Sequence, residues 1–578
     1  MHLVFDIETN GLNPDKIHCM VVKELGKEPI LFRPNQIEEG IDLLLRANVL
    51  IGHNILGFDI PVINKLFDTH VGRDCSIVDT LVLSRLFDPV REGGHSLKNW
   101  GYIVGSPKGQ EPEEWEYYTE EMLTYCKQDV VLNELIYNHQ IQKESKGFSE
   151  EAMVLEHDVF KIIKQQEDNG FYFNTRLASM LVSELKEKMT KVQRQVRTTF
   201  KPKWVDVKKV FPKFKKDGEL SKSGLTSEEY ESLMKSKDYS PFMRKKLQEF
   251  NLGSRKQIGE YLKDFGWKPT KFTPTGQPIV DEASLKKVKH IPEAKLIAEF
   301  LLYQKRIAQI ESWLDAVRDD DRIHGFVISN GTITGRMAHR SPNTGQVPNT
   351  GSEYGTDCRM CWTVPEDYKL VGIDASGLEL RMLAHYMNDK DFTNEITEGD
   401  IHSHNQQIAR LKSRNQAKSA IYALCYGAGD AKLGAVVGGG KADGARIRKH
   451  FFDNLPAFKS LRDRVEIASD RGFLKGLDGR KIIIRSKHAA LNSLLQSAGA
   501  IIMKKALVLL DKKARERNLD YKFVANIHDE WQVEVHKTHA TDFGKLGVEA
   551  IIEAGEHFSM RCPLDGEYKV GEAWHETH

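Results

Sequence analysis

Residues 523–535 read FVANIHDEWQVEV. Two short apolar runs flank His528, Asp529 and Glu530. Strand cores seldom carry adjacent acids between an Ile and a Trp, so the pattern predicts a hairpin with the polar trio at its tip. A second stretch supplies a reason for acids there. VGIDASGLELR, residues 371–381, reads as a strand ending at Asp374, with Glu379 in the start of a helix. If the two strands are neighbours in one sheet, Asp374 and Asp529 meet at its end. Like charges so placed suit two divalent cations and phosphoryl transfer from a nucleoside triphosphate.

Between these stretches lies RNQAKSAIYALCYG, residues 414–427. Arg414, Lys418, Tyr422 and Tyr426 recur every four positions. Each step drifts by about 40° on a helix, so the four form one winding stripe. The spacing fits a solvated start followed by buried tyrosines. It equally fits a surface that grips a triphosphate and then stacks a base.

The first part of the chain carries another acidic set. FDIETNGL (5–12) puts Asp6 and Glu8 two apart in a strand, hence on one face. GHNILGFDIP (52–61) supplies Asp59, and YCKQD (125–129) supplies Tyr125 and Asp129 one helical turn apart. Four such acids suit two metals about 4 Å apart that activate water against a phosphodiester.

The 578 residues predict several structural units and a net charge of only +1. Residues 1–150 hold 14 Lys and Arg against 24 Asp and Glu, while the remainder holds 69 against 58. That asymmetry fits a polyanion partner for the basic part. Residues 201–216 contain seven lysines, one acid, two prolines and three aromatics. This predicts an exposed, partly irregular insertion over 200–250, either a solvated linker or a nucleic-acid or partner surface. A secretory signal and an 18-residue apolar run are both missing, so no membrane association is expected. Seven scattered cysteines point to a reducing, cytoplasmic setting. The lone Cys358/Cys361 pair lacks further ligands for zinc.

The N-terminal set resembles the DEDD 3′–5′ proofreading exonucleases of the tyrosine subclass. That resemblance implies that Asp6, Glu8, Asp59 and Asp129 hold metal and that Tyr125 orients the attacking water. VGIDASGLELR, RNQAKSAIYALCYG and NIHDEWQVEV, in this order, resemble the motifs of the family A DNA polymerases, and most of all the replicative enzymes of T-odd bacteriophages. The likeness runs over nearly the whole chain. It implies an α/β RNase H-like exonuclease domain at 1–147, then a right hand: a helical thumb at 148–320, palm at 321–399, fingers at 400–474 and palm again at 475–578.

The same resemblance implies residue roles. Asp374, the Ala375 carbonyl and Asp529 would hold two Mg²⁺ ions, with Mn²⁺ able to substitute. Glu530 and His528 would lie near the primer end. Glu379 would crowd the sugar 2′ position, which also argues against a single-subunit RNA polymerase. Arg414, Lys418 and His402 would hold the triphosphate of a dNTP, Tyr422 would pack on it, and Tyr426 would close the pocket. Arg336, Asn492 and Gln496 would touch the minor-groove edge of primer–template DNA, where acceptors recur on every pair. Tyr422 also implies ready acceptance of dideoxynucleotides. The absence of room before Asp6 for a 5′-nuclease domain favours a replicative role. The terminal WHETH resembles a tail that meets a replicative helicase–primase. Dependence on thioredoxin as processivity factor stays open, because the insertion near 200–250 is short.

Overall fold

The computed structural model describes residues 1–285, 288 and 290–578, in two compact units. The larger comprises Met1–Asn174 and Ala316–His578, the smaller Thr175–Asp315.

The larger unit begins with a five-stranded sheet: β1 (His2–Thr9), β2 (Ile17–Glu24), β3 (Ile30–Phe32), β4 (Val49–Gly52) and β5 (Ser76–Asp79), in the order β3-β2-β1-β4-β5. The first three strands form an antiparallel meander, and β1, β4 and β5 run parallel. Parallel neighbours need crossovers, supplied by α1 (Asp59–Phe67) between β4 and β5, while α2 (Thr80–Phe87) and α3 (Glu120–His139) follow the last strand. This is the RNase H-like arrangement expected for residues 1–147. Because β1 is central, both its faces are covered. Leu3, Phe5 and Ile7 pack with Ile60 and Ile63, whereas Val4 packs with Met122, Cys126 and Val130 of α3. Strand alternation therefore sends Asp6 and Glu8 to the α3 side.

The second sheet is antiparallel: β6 (Tyr368–Ala375), β7 (Tyr521–Ile527), β8 (Glu530–His536) and β9 (Gly566–Gly571), ordered β7-β8-β6-β9. Its inner face, with Val371, Ile373, Trp531, Val533 and Val535, joins a core with α7 (Ala490–Glu516) and α8 (Ala540–His557). Within the 30-residue helical stretch 487–516, a window of 18 residues has mean hydropathy 1.5, so the stretch is long and apolar enough to cross a membrane by length and composition. However, 78% of that window is buried inside the protein, as a core helix requires. α5 (Leu378–Met387) follows β6, and a run of helices that includes α6 (Arg414–Cys425) fills 401–468.

α4 (Glu150–Asn169), expected with the thumb, packs in the larger unit. Leu155, Val159, Ile162 and Ile163 join the palm core, and Phe160 joins the core of the first sheet. Glu156 on α4 is fully buried and anchors an ion network. Arg480 Nη1 and Lys504 Nζ each lie 2.6 Å from Glu156 Oε1, and Arg480 also reaches Asp478 at 2.6 Å.

In the smaller unit the long helices Thr175–Thr199 and Pro292–Leu314 pack together over Val192, Val196, Ile297 and Leu301. The 200–250 segment is exposed and partly irregular, as expected, but Lys203–Val210 pairs antiparallel with Phe242–Gln248, and a capped helix, Ser227–Ser236, lies between. Lysines at solvent-facing positions hid the alternation of the strands.

Removing one member of a buried charge network strands its partners. Glu156→Ala is expected to cost about 3–5 kcal/mol, read by denaturant unfolding, whereas Glu156→Ala combined with Lys504→Met recovers most of that loss. Equal destabilisation by both variants would contradict this.

Candidate active sites

At the end of the palm sheet, Asp374 of β6 stands opposite Glu530 of β8. β7 and β8 are joined by a two-residue turn, His528–Asp529, with Ile527 paired to Glu530. His528 has φ 59°, a region costly for residues other than glycine. The Ala375 N–H donates to the Asp529 carbonyl at 3.1 Å, which fixes the turn against the end of β6. Burial, then repulsion from Asp529 and Glu530, pushes Asp374 up to about 7.

These residues line a cavity of about 610 Å³. Asp374, Ala375 and Asp529 stand among its lining residues with His528, Arg336, Glu379, His402, Lys418 and Tyr422. Glu379 accepts a hydrogen bond from the Tyr426 hydroxyl at 2.8 Å and pairs with Arg336 at 3.3 Å. His402 Nδ1 is buried without a hydrogen-bond partner among the described residues, and its ring lies 6.5 Å from that of Tyr422. Burial followed by the Glu379 charge raises Tyr422 to about 12, so its hydroxyl stays protonated.

Four expected residues sit differently. Glu530 is outside the lining set. Its carboxylate accepts hydrogen bonds from Trp574 Nε1 (2.7 Å), Gln532 Nε2 (2.6 Å) and His578 Nδ1 (2.5 Å). Burial opposes its ionisation, but the His578 contact and then the Trp574 and Gln532 bonds win, holding its carboxyl below the usual range. The reason lies in position: Glu530 begins a strand, so pairing with β6 and β7 turns it toward the C-terminal tail rather than the tip. Arg414 is outside as well, bound through two nitrogens by Asp400 at 2.8 and 3.1 Å. Asn492 and Gln496 lie one turn apart on α7, likewise outside the lining set.

In the first sheet the acids come together as expected. Asp6, Glu8 and Cys126 bring potential ligand atoms within 4.8 Å of one another. Asp59 opens α1 and accepts from the Ile7 N–H at 3.1 Å. Burial is the first cause of the raised pKa values of these acids. It puts Asp6 well above the carboxylate range and lifts Glu8 to about 9, Asp59 to about 7 and Asp129 to about 6. For Asp6 the charges of Asp59, Glu8 and Asp129 add to this, and for Glu8 the charge of Asp129. Carboxylate oxygens of this kind are the donors Mg²⁺ prefers, so the residues fit the expected ion. The Cys126 thiol, kept protonated by burial, instead donates to Asp6 Oδ2 at 3.7 Å.

Lys108 was missed in the sequence. Its Nζ lies 3.0 Å from Asp129 and 4.6 Å from the Tyr125 ring centroid. The available signal was its isolation, as the only basic residue between Lys98 and Lys127 in an acidic stretch.

An acidic palm end facing a helix of cations and tyrosines defines a phosphoryl-transferring enzyme. A family model for DNA polymerase family A matches residues 223–576. The DNA-directed DNA polymerases of Enterobacteria phage T3 and Escherichia phage T7 are 34% and 32% identical, with 100% of both chains covered in each case. DNA polymerase I of Pseudomonas aeruginosa is 27% identical over 57% of this chain and 39% of its own. The POL domain of Pol1 from M. smegmatis, in complex with DNA primer-template and dNTP, shares the fold. Its TM-score is 0.78 at 17% identity, over 100% of this chain and 96% of that one. The chain belongs to DNA polymerase family A and is a DNA-directed DNA polymerase, similar to those of phages T3 and T7.

An acid whose folded value is raised binds its proton more tightly when folded. Its stabilising contribution is complete below the unfolded value and is lost as pH rises through the folded one. With Glu8 at about 9 and Asp374 at about 7, chelator-treated protein is expected to melt at a lower temperature near pH 9 than near pH 6. Glu8→Gln should shrink that fall, and added Mg²⁺ should reverse more of it near pH 9. A pH-independent melt in chelator would contradict the crowding of these acids.

Proposed function

We propose that this polymerase extends a primer on a DNA template at the palm cavity and removes mispaired ends by 3′–5′ hydrolysis at the N-terminal acids. The observation carrying the proposal is the cavity itself, where Asp374 and Asp529 face Lys418, His402 and Tyr422.

Asp374, Asp529 and the Ala375 carbonyl would hold two Mg²⁺ ions, with Mn²⁺ as a substitute. Bound there, such ions neutralise phosphate charge and lower the barrier to deprotonating the primer hydroxyl. Lys418, His402 and Arg414 offer cationic or N–H donors to the triphosphate, once Arg414 leaves Asp400. Tyr422 supplies a ring face for the incoming base. Glu379, held by Tyr426 and Arg336, forms a fixed wall that an added 2′ hydroxyl would meet. Glu530 acts as a positioning residue, securing the strand that carries Asp529. His528 at the tip would meet the primer end. Arg336, with Asn492 and Gln496, would test the shape of the terminal pair.

At the N-terminal site Asp6, Glu8, Asp59 and Asp129 would hold the corresponding ions, and Tyr125 would orient water. The biological setting we propose is phage genome replication in the cytoplasm of a bacterial host. The tail expected to meet a replicative helicase–primase is packed through Trp574 and Thr577, so Glu576 and His578 are its accessible part. A thioredoxin-type processivity factor gains no support from the paired strands at 203–248.

Primer extension on a recessed template tests both sites. Asp374→Ala is expected to lose extension by about 10³-fold or more while still shortening the primer. Asp6→Ala combined with Glu8→Ala should extend normally and leave the primer intact. A double variant that still shortens the primer at the wild-type rate would remove the exonuclease assignment. Glu379→Ala is expected to raise ribonucleotide incorporation relative to dNTP by about tenfold or more; an unchanged ratio would take the 2′ wall away from Glu379.

A further inference from the structure

The paired strands Lys203–Val210 and Phe242–Gln248 have one covered face and one bare face. On the covered side Val210 is buried, and Phe242, Arg244 and Val205 are half-buried. Arg244 is bound there by Glu229 through its Nε and Nη2. The bare side follows from the register. Trp204 stands opposite Leu247, Asp206 opposite Lys245, and Lys209 opposite Met243, and all six are exposed. Trp204 keeps 68% of its surface in solvent, and the following Phe211 and Phe214 keep 60% and 52%. On this face Lys209 and Lys245 make no ion pair with any described residue. Large rings in water beside unneutralised lysines are costly to keep unless something covers them.

We propose that this face binds single-stranded DNA. Three arguments select that occupant. Protein interfaces favour Trp but deplete Lys, whereas here Trp204 shares its face with Lys209 and Lys245. Single-strand sites combine cations that follow the backbone with ring faces on which bases stack. Same-face positions on a strand recur about every 6.6–6.8 Å, short enough for successive phosphates and bases to meet Lys and Trp in turn. Duplex DNA would use only the lysines, since its bases are already stacked. The proposal rests on the polymerase assignment for its choice of ligand. It adds a second DNA contact on the same chain, which raises effective concentration and slows release during synthesis.

The test uses the full chain in chelator, so that nothing is hydrolysed, with fluorescent oligo(dT) and anisotropy over a salt series. Trp204→Ala is expected to weaken binding about tenfold with the salt slope unchanged, and Trp204→Phe to restore most of it. Lys209→Ala combined with Lys245→Ala should weaken binding and flatten the slope by about 1.4. Both variants should melt as wild type and add a single nucleotide to a recessed primer normally, but dissociate sooner during long synthesis at raised salt. Unchanged oligo(dT) affinity in both variants overturns the proposal. So does a lysine effect equal on duplex and single strand with none from Trp204, which would make the face a duplex contact. Failure of wild type to extend a primer at all would strike the polymerase assignment instead, whatever the oligo(dT) result.

Discussion

Carboxylates gathered out of water repel one another, and strand pairing and packing have to supply the work of holding them together. Both acidic clusters live under that constraint. In the first sheet Asp6 and Glu8 are fixed by the pairing of β1 with β2, Asp59 by the Ile7 N–H, and Asp129 by Lys108. In the palm, Asp374 is fixed by the β8 and β9 registers, and Asp529 by a turn that strains His528. The apolar strands behind these acids therefore act as supports for charge, and the stored repulsion is what a hard cation placed there would relieve.

Glu530 shows how the same sheet handles an acid differently. It is more deeply buried than Asp374 and Asp529, yet three donors from the tail and from β8 satisfy it. A carboxylate so supplied needs no cation. Two adjacent acids, Asp529 and Glu530, thus carry separate duties: one is left hungry at the tip, the other clamps the last residues of the chain onto the palm. The fingers helix has a comparable division. Lys418 faces the cavity, while Arg414 is occupied by Asp400 at the start of the preceding helix.

Much of this was legible in the sequence because it is local. Alternation in HLVFDIET placed Asp6 and Glu8 on one face, and the four-residue spacing from Arg414 to Tyr426 gave one helical stripe. The hairpin tip at 528–529 followed from apolar runs on either side. What the sequence concealed depends on contacts between distant segments. Nothing near Glu530 announces Trp574 or His578. Lys108 sits in a loop with no periodicity, so its place among the acids comes only from folding. Glu156 looks like any surface acid of an amphipathic helix until Arg480 and Lys504, more than 300 residues away, close over it. The 203–210 strand was masked by lysines, whose abundance imitates an irregular linker.

The seam between the first sheet and the palm combines specific hydrogen bonds with apolar packing. The Asp79 N–H donates to His157 Nε2 at 2.8 Å, and Asn330 Nδ2 donates to the Arg85 carbonyl at 2.9 Å. Ala152 packs with Leu83, Leu86 and Phe87, with Phe148 and Met153 against them. Trimming away the first 147 residues would thus present an oily, half-unpaired flank to water. Neutralising two acids of β1 leaves that seam closed, which makes point substitution the gentler way to alter the N-terminal acidic cluster without disturbing the palm.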